Sequence, residues 1–350
     1  MKKYHVLGVM SGTSLDGIDV AEVELSCVNE KWNYSFGKTA TFAYPAQWKQ
    51  KLQNAILLDD DALSELNQAY TAYLAETILT FIQTNKLKTI NAVCSHGHTV
   101  KHRPDLGFTL QIGNLPVLAK QLQLPVVCDF RVQDVDLGGQ GAPLVPIGDR
   151  LLFLAYEYCL NLGGFANISS ELNQQRIAYD ICAVNTVLNF YAEKLGFPYD
   201  NKGSIAKRAV VSSALLARLN ALDYYQKSAP KSLGIEWVTK HIFPILEESK
   251  CSPEVILATY TKHIAEQLAK EIPKGRVLVT GGGAYNKHLI NLLKKETKAS
   301  IEIPSKQLLE YKEVLIFALL GVLKLEGKVN VLQSVTGATS NHSSGKIFLP

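Results

Sequence analysis

The sequence predicts an α/β protein of two domains built on one plan, and three observations carry that expectation. The chain has 350 residues, against roughly 100–200 residues per domain. Apolar residues make up 47% and charged residues 19%, a balance that argues against disorder. A chain this long buries about three quarters of its unfolded surface without needing disulfides or metal. The pattern strand, glycine loop, strand, strand, then alternating helices and strands, occurs twice, which reads as a long-period internal duplication.

The first copy opens with apolar, alternating stretches at 4–10, 18–26 and 34–43, which read as strands, and a helix over 46–58. From Leu63, apolar residues recur at helical spacing through Ile82. Asp59, Asp60 and Asp61 precede them, where carboxylates favour the positive end of a helix. Strands follow at 90–95, 107–112 and 124–128, with a short helix between the last two. The second copy starts near Tyr156 with the strands YCLNL, FANISSEL and RIAYD, then a helix over 185–195. A helix at 253–270 is announced by Ser252-Pro253-Glu254, a hydroxyl cap with proline in the first turn. The strand RVLVT (276–280), a helix at 286–296, a strand near 300–303 and a helix over 308–326 complete the copy. The first domain is expected over 1–130, with a polar tail from about 335 to 350 packing back on it, and the second over 131–334.

Lys and Arg total 36 against 32 for Asp and Glu, a net charge of +4. That is too mild to point to nucleic acid, and no basic run supports one. The N-terminus lacks the 7–15-residue apolar core of a signal peptide. The longest apolar run, Val314–Leu323, is half a membrane span. No two of the six cysteines form a C-x-x-C pair, and Cys94, Cys128, Cys159 and Cys182 sit in or beside apolar runs, so reduced, buried thiols in a cytoplasmic protein are expected.

Eleven of the 24 glycines fall in four clusters, and these mark the loops with chemistry. In GVMSGTSLDGID, backbone N–H groups freed by Gly12 and Gly17, with Ser11, Thr13 and Ser14, suit phosphate oxygens. Asp16 and Asp19 suit a water-coated Mg²⁺. The P-loop Lys-Ser/Thr pair is missing, and a plain hairpin turn is the competing reading. NLGGFANIS, with Gly163, Gly164 and Asn167, holds the same place in the second copy. In VLVTGGGAYN, Gly281, Gly282 and Gly283 end a strand before a helix, where open α/β sheets bind ligands; Asn286 stands where a Rossmann glycine would be. SHGHTVKHRP reads as a polar substrate-binding loop carrying His96, Gly97 and Thr99. Its histidine spacing lacks the Glu or Cys of a zinc site. Arg131, after the strand PVVCD, can grip a carboxylate with its planar fork or pair internally with Asp129. Gly138–Pro143 reads as an inter-domain hinge. Asp180, at the end of RIAYD among apolar residues, suits a general base of raised pKa or a cap for the next helix. Glu313 opens an apolar helix.

The segment GVMSGTSLDGIDVA resembles the signature of the anhydro-N-acetylmuramic acid kinases. SHGHTVKHRP, TLQIGN, PVVCDFRVQDVDLGGQGAPLVP, NLGGFANIS, YD followed by Asn, VTGGGAYN and SVTGA then arrive in that family's order across essentially the whole chain. The resemblance implies two actin-like, ribonuclease H-like domains, each a mixed sheet flanked by helices, around an ATP cleft. It implies phosphorylation of O6 of 1,6-anhydro-N-acetylmuramic acid by ATP as water opens the anhydro ring at C1, giving N-acetylmuramic acid 6-phosphate in cell-wall recycling. It implies that Asp180 activates the water and that Gly12–Asp19, Leu15 and Ile18 included, binds ATP with Mg²⁺. It also implies that Thr99, Arg131 and Glu313 lie near the sugar, and that the protein is a homodimer. Two places depart from the family pattern. Ile181–Val184 replaces a small residue and Gly-Pro-Gly after the base, and His98 replaces a glutamine. They motivate the alternative of a kinase for another amino sugar; a non-catalytic ATP-binding member is a further alternative, against which the retained Asp180, Asp16 and Asp19 argue.

Overall fold

The computed structural model describes residues 2–12 and 15–350. Thr13 and Ser14, both expected at the phosphates, lie outside the described residues. The chain divides into two compact units: one runs to Leu152 and includes Tyr311–Pro350, and the other is Phe153–Glu310.

The first unit is built on β1 (Lys2–Ser11), β2 (Gly17–Val28), β3 (Lys31–Ala43), β4 (Ala92–Arg103), β5 (Phe108–Ile112), β6 (Val126–Cys128) and β12 (Lys346–Phe348). Their order is β12-β6-β4-β1-β2-β3, with β5 paired to β4. β1, β2 and β3 form an antiparallel meander, whereas β4 joins β1, and β6 joins β4, in parallel. The second unit repeats this with β7 (Tyr158–Leu162), β8 (Phe165–Leu172), β9 (Gln175–Ala183), β10 (Arg276–Thr280) and β11 (Ser300–Glu302), in the order β11-β10-β7-β8-β9. β7, β8 and β9 are again antiparallel, and β10 and β11 again parallel additions. The duplication read from the strand pattern is therefore a duplication of topology.

Helix ends follow local chemistry. Asp59 accepts from the Ala62 N–H at 2.9 Å and starts the Asp60–Thr84 helix. Ser252 caps Pro253–Glu271. Each sheet buries its inner face beneath such helices: Tyr70, Leu74, Ile78 and Phe81 cover the first, and Leu257, Tyr260, Ile264 and Leu268 cover the second. Val314–Leu323 is a fully buried stretch of the Lys306–Leu325 helix, which is interrupted upstream by non-helical backbone at Tyr311. No helix among the described residues is long and apolar enough to cross a membrane. All six cysteines are free, with Cys94, Cys128, Cys159 and Cys182 buried.

Three expectations need correction. The division falls after Leu152, not at 130, and 311–334 joins the first unit. Asp134, the Gly139–Gly141 turn and the C-terminal segment interlock there: Asp134 accepts from Gly141 N–H at 2.6 Å and from the Thr336 hydroxyl at 2.7 Å. Gly138–Pro143 is therefore a clasp inside one unit and not a hinge. Residues 95–103 are not a loop; they continue β4 and pair with β5, His98 opposite Ile112. Their polarity hid a strand: Ser95 and His98 pair with β1, and His98–Arg103 with β5.

Gly8 shows how tightly the first unit closes. A Cβ there would overlap the Val314 carbonyl oxygen, which is backbone and cannot yield. Gly8→Ala is expected to cost about 3 kcal/mol by overpacking, read as a lower urea midpoint at unchanged slope. An unaltered midpoint would show that the helix shifts without strain.

Candidate active site

In the first unit, the bend between β1 and β2 is a hairpin joined at Ser11 opposite Ile18. Ser11 is 2% exposed and its hydroxyl is engaged with Tyr44 OH at 2.6 Å and His98 Nδ1 at 3.0 Å. Tyr44 OH meets Tyr70 OH at 2.6 Å. Burial lowers His98 to about 4, so it is a neutral member of this chain. The structure thus turns Ser11 and His98 into the core, where they fix the base of the loop. Gly12, Leu15 and Asp16 form its rim, with Leu15 in a left-handed conformation (φ 59°) and Asp16 exposed. Ile18 is buried in the sheet. A side chain at Gly17 would overlap the Phe42 carbonyl, so this glycine serves β3. Asp19 Oδ1 accepts from the Thr41 hydroxyl at 2.5 Å, and that hydroxyl also meets Tyr311 OH at 3.1 Å.

A second cluster gathers His96, Gly97, Arg131 and Glu313. Arg131 Nε donates to His96 Nε2 at 2.9 Å. Guanidinium can only donate, so the ring proton sits on Nδ1, which donates to the Gly97 carbonyl at 2.8 Å. Burial, then the Arg131 charge, holds His96 well below the usual imidazole range and so neutral. Gly97 needs its positive φ (73°), and a Cβ would lie 2.6 Å from the Ile112 carbonyl. Arg131 Nη1 donates to Gly141 O at 2.6 Å, which orients the fork with Nη2 left over. Burial lowers the guanidinium to about 10, while Glu313 and Asp134 pull it upward. The alternative Asp129–Arg131 pair does not form, because Asp129 meets Lys346 at 2.6 Å. Glu313 is open to solvent yet closely surrounded by protein, which pushes its carboxyl up; Arg131 and Lys312 oppose that rise. Thr99 is half-buried beside this cluster on β4, opposite Gln111.

In the second unit, strand register makes one polar row across four strands. Thr280 pairs with Asn161, Asn161 with Asn167, and Asn167 with Asp180. A bulge between Ala166 and Asn167 sets the last pairing. Asp180 Oδ2 accepts from the Leu233 N–H at 2.9 Å. Burial raises its carboxyl pKa, opposed by that N–H and by the Ser232 hydroxyl. It does not cap the next helix, whose cap position is Val184 and has no side-chain bond. Ile181 to Val184 are at most 1% exposed, so the changed segment is packed core continuing β9. The Gly163–Gly164 turn closes on the helix start: Gly164 O accepts from Val184 N–H at 2.7 Å and Gly163 O from Asn185 N–H at 3.3 Å. Gly281 and Gly283 make room for β7, since added carbons would lie 2.6 Å from Asn161 Oδ1 and 2.7 Å from Leu162 Cβ. Only Gly282 is exposed, with its nearest neighbour, Asn185 Nδ2, at 3.8 Å.

Asn161 completes the row and was missed from sequence because YCLNL reads as a plain strand; only register reveals it. Among the described residues no three His, Cys, Asp or Glu side chains gather as a metal cage. Asp16 is exposed on the rim of the β1–β2 bend, whereas Asp19 Oδ1 is engaged by the Thr41 hydroxyl.

Residues 4–350 match the family model described as anhydro-N-acetylmuramic acid kinase. The anhydro-N-acetylmuramic acid kinase of Mannheimia succiniciproducens is 35% identical over 99% of each chain. That of Vibrio cholerae is 33% identical over 98% of each. Among solved structures, the activator of the 2-hydroxyisocaproyl-CoA dehydratase from Clostridium difficile with bound ADPNP aligns with 92% of this chain and 96% of its own. Its TM-score is 0.42 and its identity 14%.

Proposed function

The chain belongs to the anhydro-N-acetylmuramic acid kinase family, whose members are ATP-using phosphotransferases, and from that premise we propose how its residues divide the reaction. ATP phosphorylates O6 of 1,6-anhydro-N-acetylmuramic acid while water adds at C1, and N-acetylmuramic acid 6-phosphate leaves. Asp180 is the base. The observation that carries this role is its hold: one carboxylate oxygen is fixed by the Leu233 N–H while burial raises its proton affinity, which suits a group that must take a proton from water.

A water oxygen bonds to C1, its proton passes to Asp180, and the C1–O6 bond breaks toward O6. O6 bonds to the γ-phosphorus as ADP departs. Arg131, with Nε and Nη1 already committed, offers Nη2 to the lactyl carboxylate of the muramic acid. His96 orients Arg131, and Glu313 and Thr99 meet sugar hydroxyls. The rim of the β1–β2 bend at Gly12, Leu15 and Asp16 meets phosphates of ATP, Gly163, Gly164 and Asn167 have the same role in the second unit, and Gly281–Gly283 lie beside the nucleotide. Asp16 and Asp19 would hold Mg²⁺, which supplies charge neutralisation at the phosphoryl group. A cytoplasmic homodimer belongs to the same reading.

His98 and Ile181–Val184 motivated a different sugar. Both are packed in cores, which removes the reason for preferring that alternative. The test is ATP with purified anhydro sugar, read by product mass. The expected product gains one phosphoryl group and one water. A product that gains phosphate without water would refute the coupled ring opening, and no transfer at all would refute the kinase reading.

A further inference from the structure

Asp180 is gripped by a segment that carries no catalytic group of its own. Its N–H donates to the Lys231 carbonyl at 3.0 Å, the Leu233 N–H donates to its Oδ2 at 2.9 Å, and the Tyr224 hydroxyl donates to its carbonyl at 2.6 Å. What anchors that segment is an ion pair. The Lys231 side chain is only 4% exposed, and its Nζ lies 2.9 Å from Glu271 Oε1. The same Nζ donates to the Lys227 carbonyl at 3.1 Å and sits 5.3 Å from the Tyr224 ring centroid. The second oxygen of Glu271, Oε2, accepts from the Tyr179 hydroxyl at 2.8 Å, and Tyr179 is the residue before Asp180. One carboxylate therefore ties down both the strand that carries the base and the segment that holds it.

Both residues are poor local choices. Glu271 is the last residue of the Pro253–Glu271 helix, the end where a negative charge is unfavourable. Lys231 surrenders the hydration of its ammonium. Local rules broken in one place, without a local gain, point to a role for the arrangement.

We propose that Lys231 and Glu271 are a positioning pair for Asp180, fixing the carboxylate against Leu233 so that its remaining lone pairs face the attacking water. This rests on the reading of Asp180 as base. The pair touches no reacting atom; it acts through the Lys231–Leu233 segment and Tyr179.

The test uses the full chain with four variants. Glu271→Gln and Lys231→Met each break the pair. The double variant removes both charges, so that neither is left buried alone. Tyr179→Phe drops one hydrogen bond and keeps the ring. The expected result is a fall in kcat of about tenfold or more in the first three, with KM values within about twofold, as misplacement of a reacting group produces. The acid limb of the pH–rate profile moves to higher pH, because a loosened Leu233 N–H no longer favours the carboxylate form. Tyr179→Phe shifts both readouts the same way but less. A purely structural pair would lower the melting temperature and leave kcat and the acid limb in place. Folded variants behaving so would overturn the proposal. Asp180→Asn, assayed in parallel, separates the two ideas. If it is inactive while the pair variants are normal, only the positioning role fails. If it too turns over, the base assignment fails and takes the positioning role with it.

Discussion

Asp180→Asn is expected to abolish useful turnover, with kcat reduced on the order of 10³-fold, within the range that a positioned general base contributes. The substitution is nearly isosteric, and its amide oxygen can still accept from Leu233 N–H at the position now held at 2.9 Å, so the strand and its clamp remain. What disappears is the ability to accept a proton. The pH profile of the unmodified protein provides the matching sign. The carboxylate is the active form, and burial raises its pKa above that of an ordinary aspartate. Activity should be complete above the raised pKa and fall as pH drops through it, so the acid limb lies at higher pH than a solvent-exposed carboxylate would give. Single-turnover rates with ATP and the anhydro sugar across pH check both statements. Turnover of Asp180→Asn within tenfold of normal would remove Asp180 from the chemistry.

Asp134→Ala should produce the largest loss of stability of any substitution considered, about 3–5 kcal/mol, the cost of breaking up a buried, hydrogen-bonded charge. Asp134 has no exposed surface. Its oxygens accept from Gly141 N–H and the Thr336 hydroxyl, and His342 Nε2 lies 3.4 Å from Oδ1. Alanine would leave the Gly141 N–H in the interior without an acceptor, at roughly 1–3 kcal/mol, and the Thr336 hydroxyl with only the Leu332 carbonyl at 3.5 Å. Asp134→Asn keeps one carbonyl oxygen and should lose less. The measurement is urea unfolding, with limited proteolysis of the tail as a local readout, because Thr336 is one of the tail's anchors. A loss below about 1 kcal/mol for the alanine variant would mean that water replaces the carboxylate.

Most elements were legible because periodicity and caps agree. Arg276–Thr280 occupies the strand positions its apolar run indicated, and Asp59 and Ser252 cap the helices they announce. The doubled meander was legible for the same reason: short alternating strands with glycine between them leave few other folds. Asp180 read locally as either a base or a helix cap, at what looked like the end of a strand; it lies inside β9, which runs on to Ala183. Other features depend on partners far away in sequence. Ser11 looked like a phosphate ligand, yet its hydroxyl is committed to Tyr44 and His98, 33 and 87 residues away. Gly139 looked like a hinge, yet a Cβ there would overlap Asp134; close packing and freedom of rotation call for the same residue. Residues 204–248, a run of short helices, carry no long period to read, and the clamp on Asp180 lies among them.

The tail strand has a consequence for how the chain is made. β12 adds to the sheet of the first unit by pairing Lys346–Phe348 with Val126–Cys128, and Gly8 packs on Val314. That unit is assembled from both ends of the polypeptide, whereas Phe153–Glu310 is continuous. During synthesis, which proceeds at about 5–20 residues per second, the middle of the protein can therefore finish folding while the ribosome still holds the last pieces of the beginning. The segment made first waits longest, with the edge of β6 unpaired and the Val314 helix absent, and its protection until release falls to whatever the cell supplies.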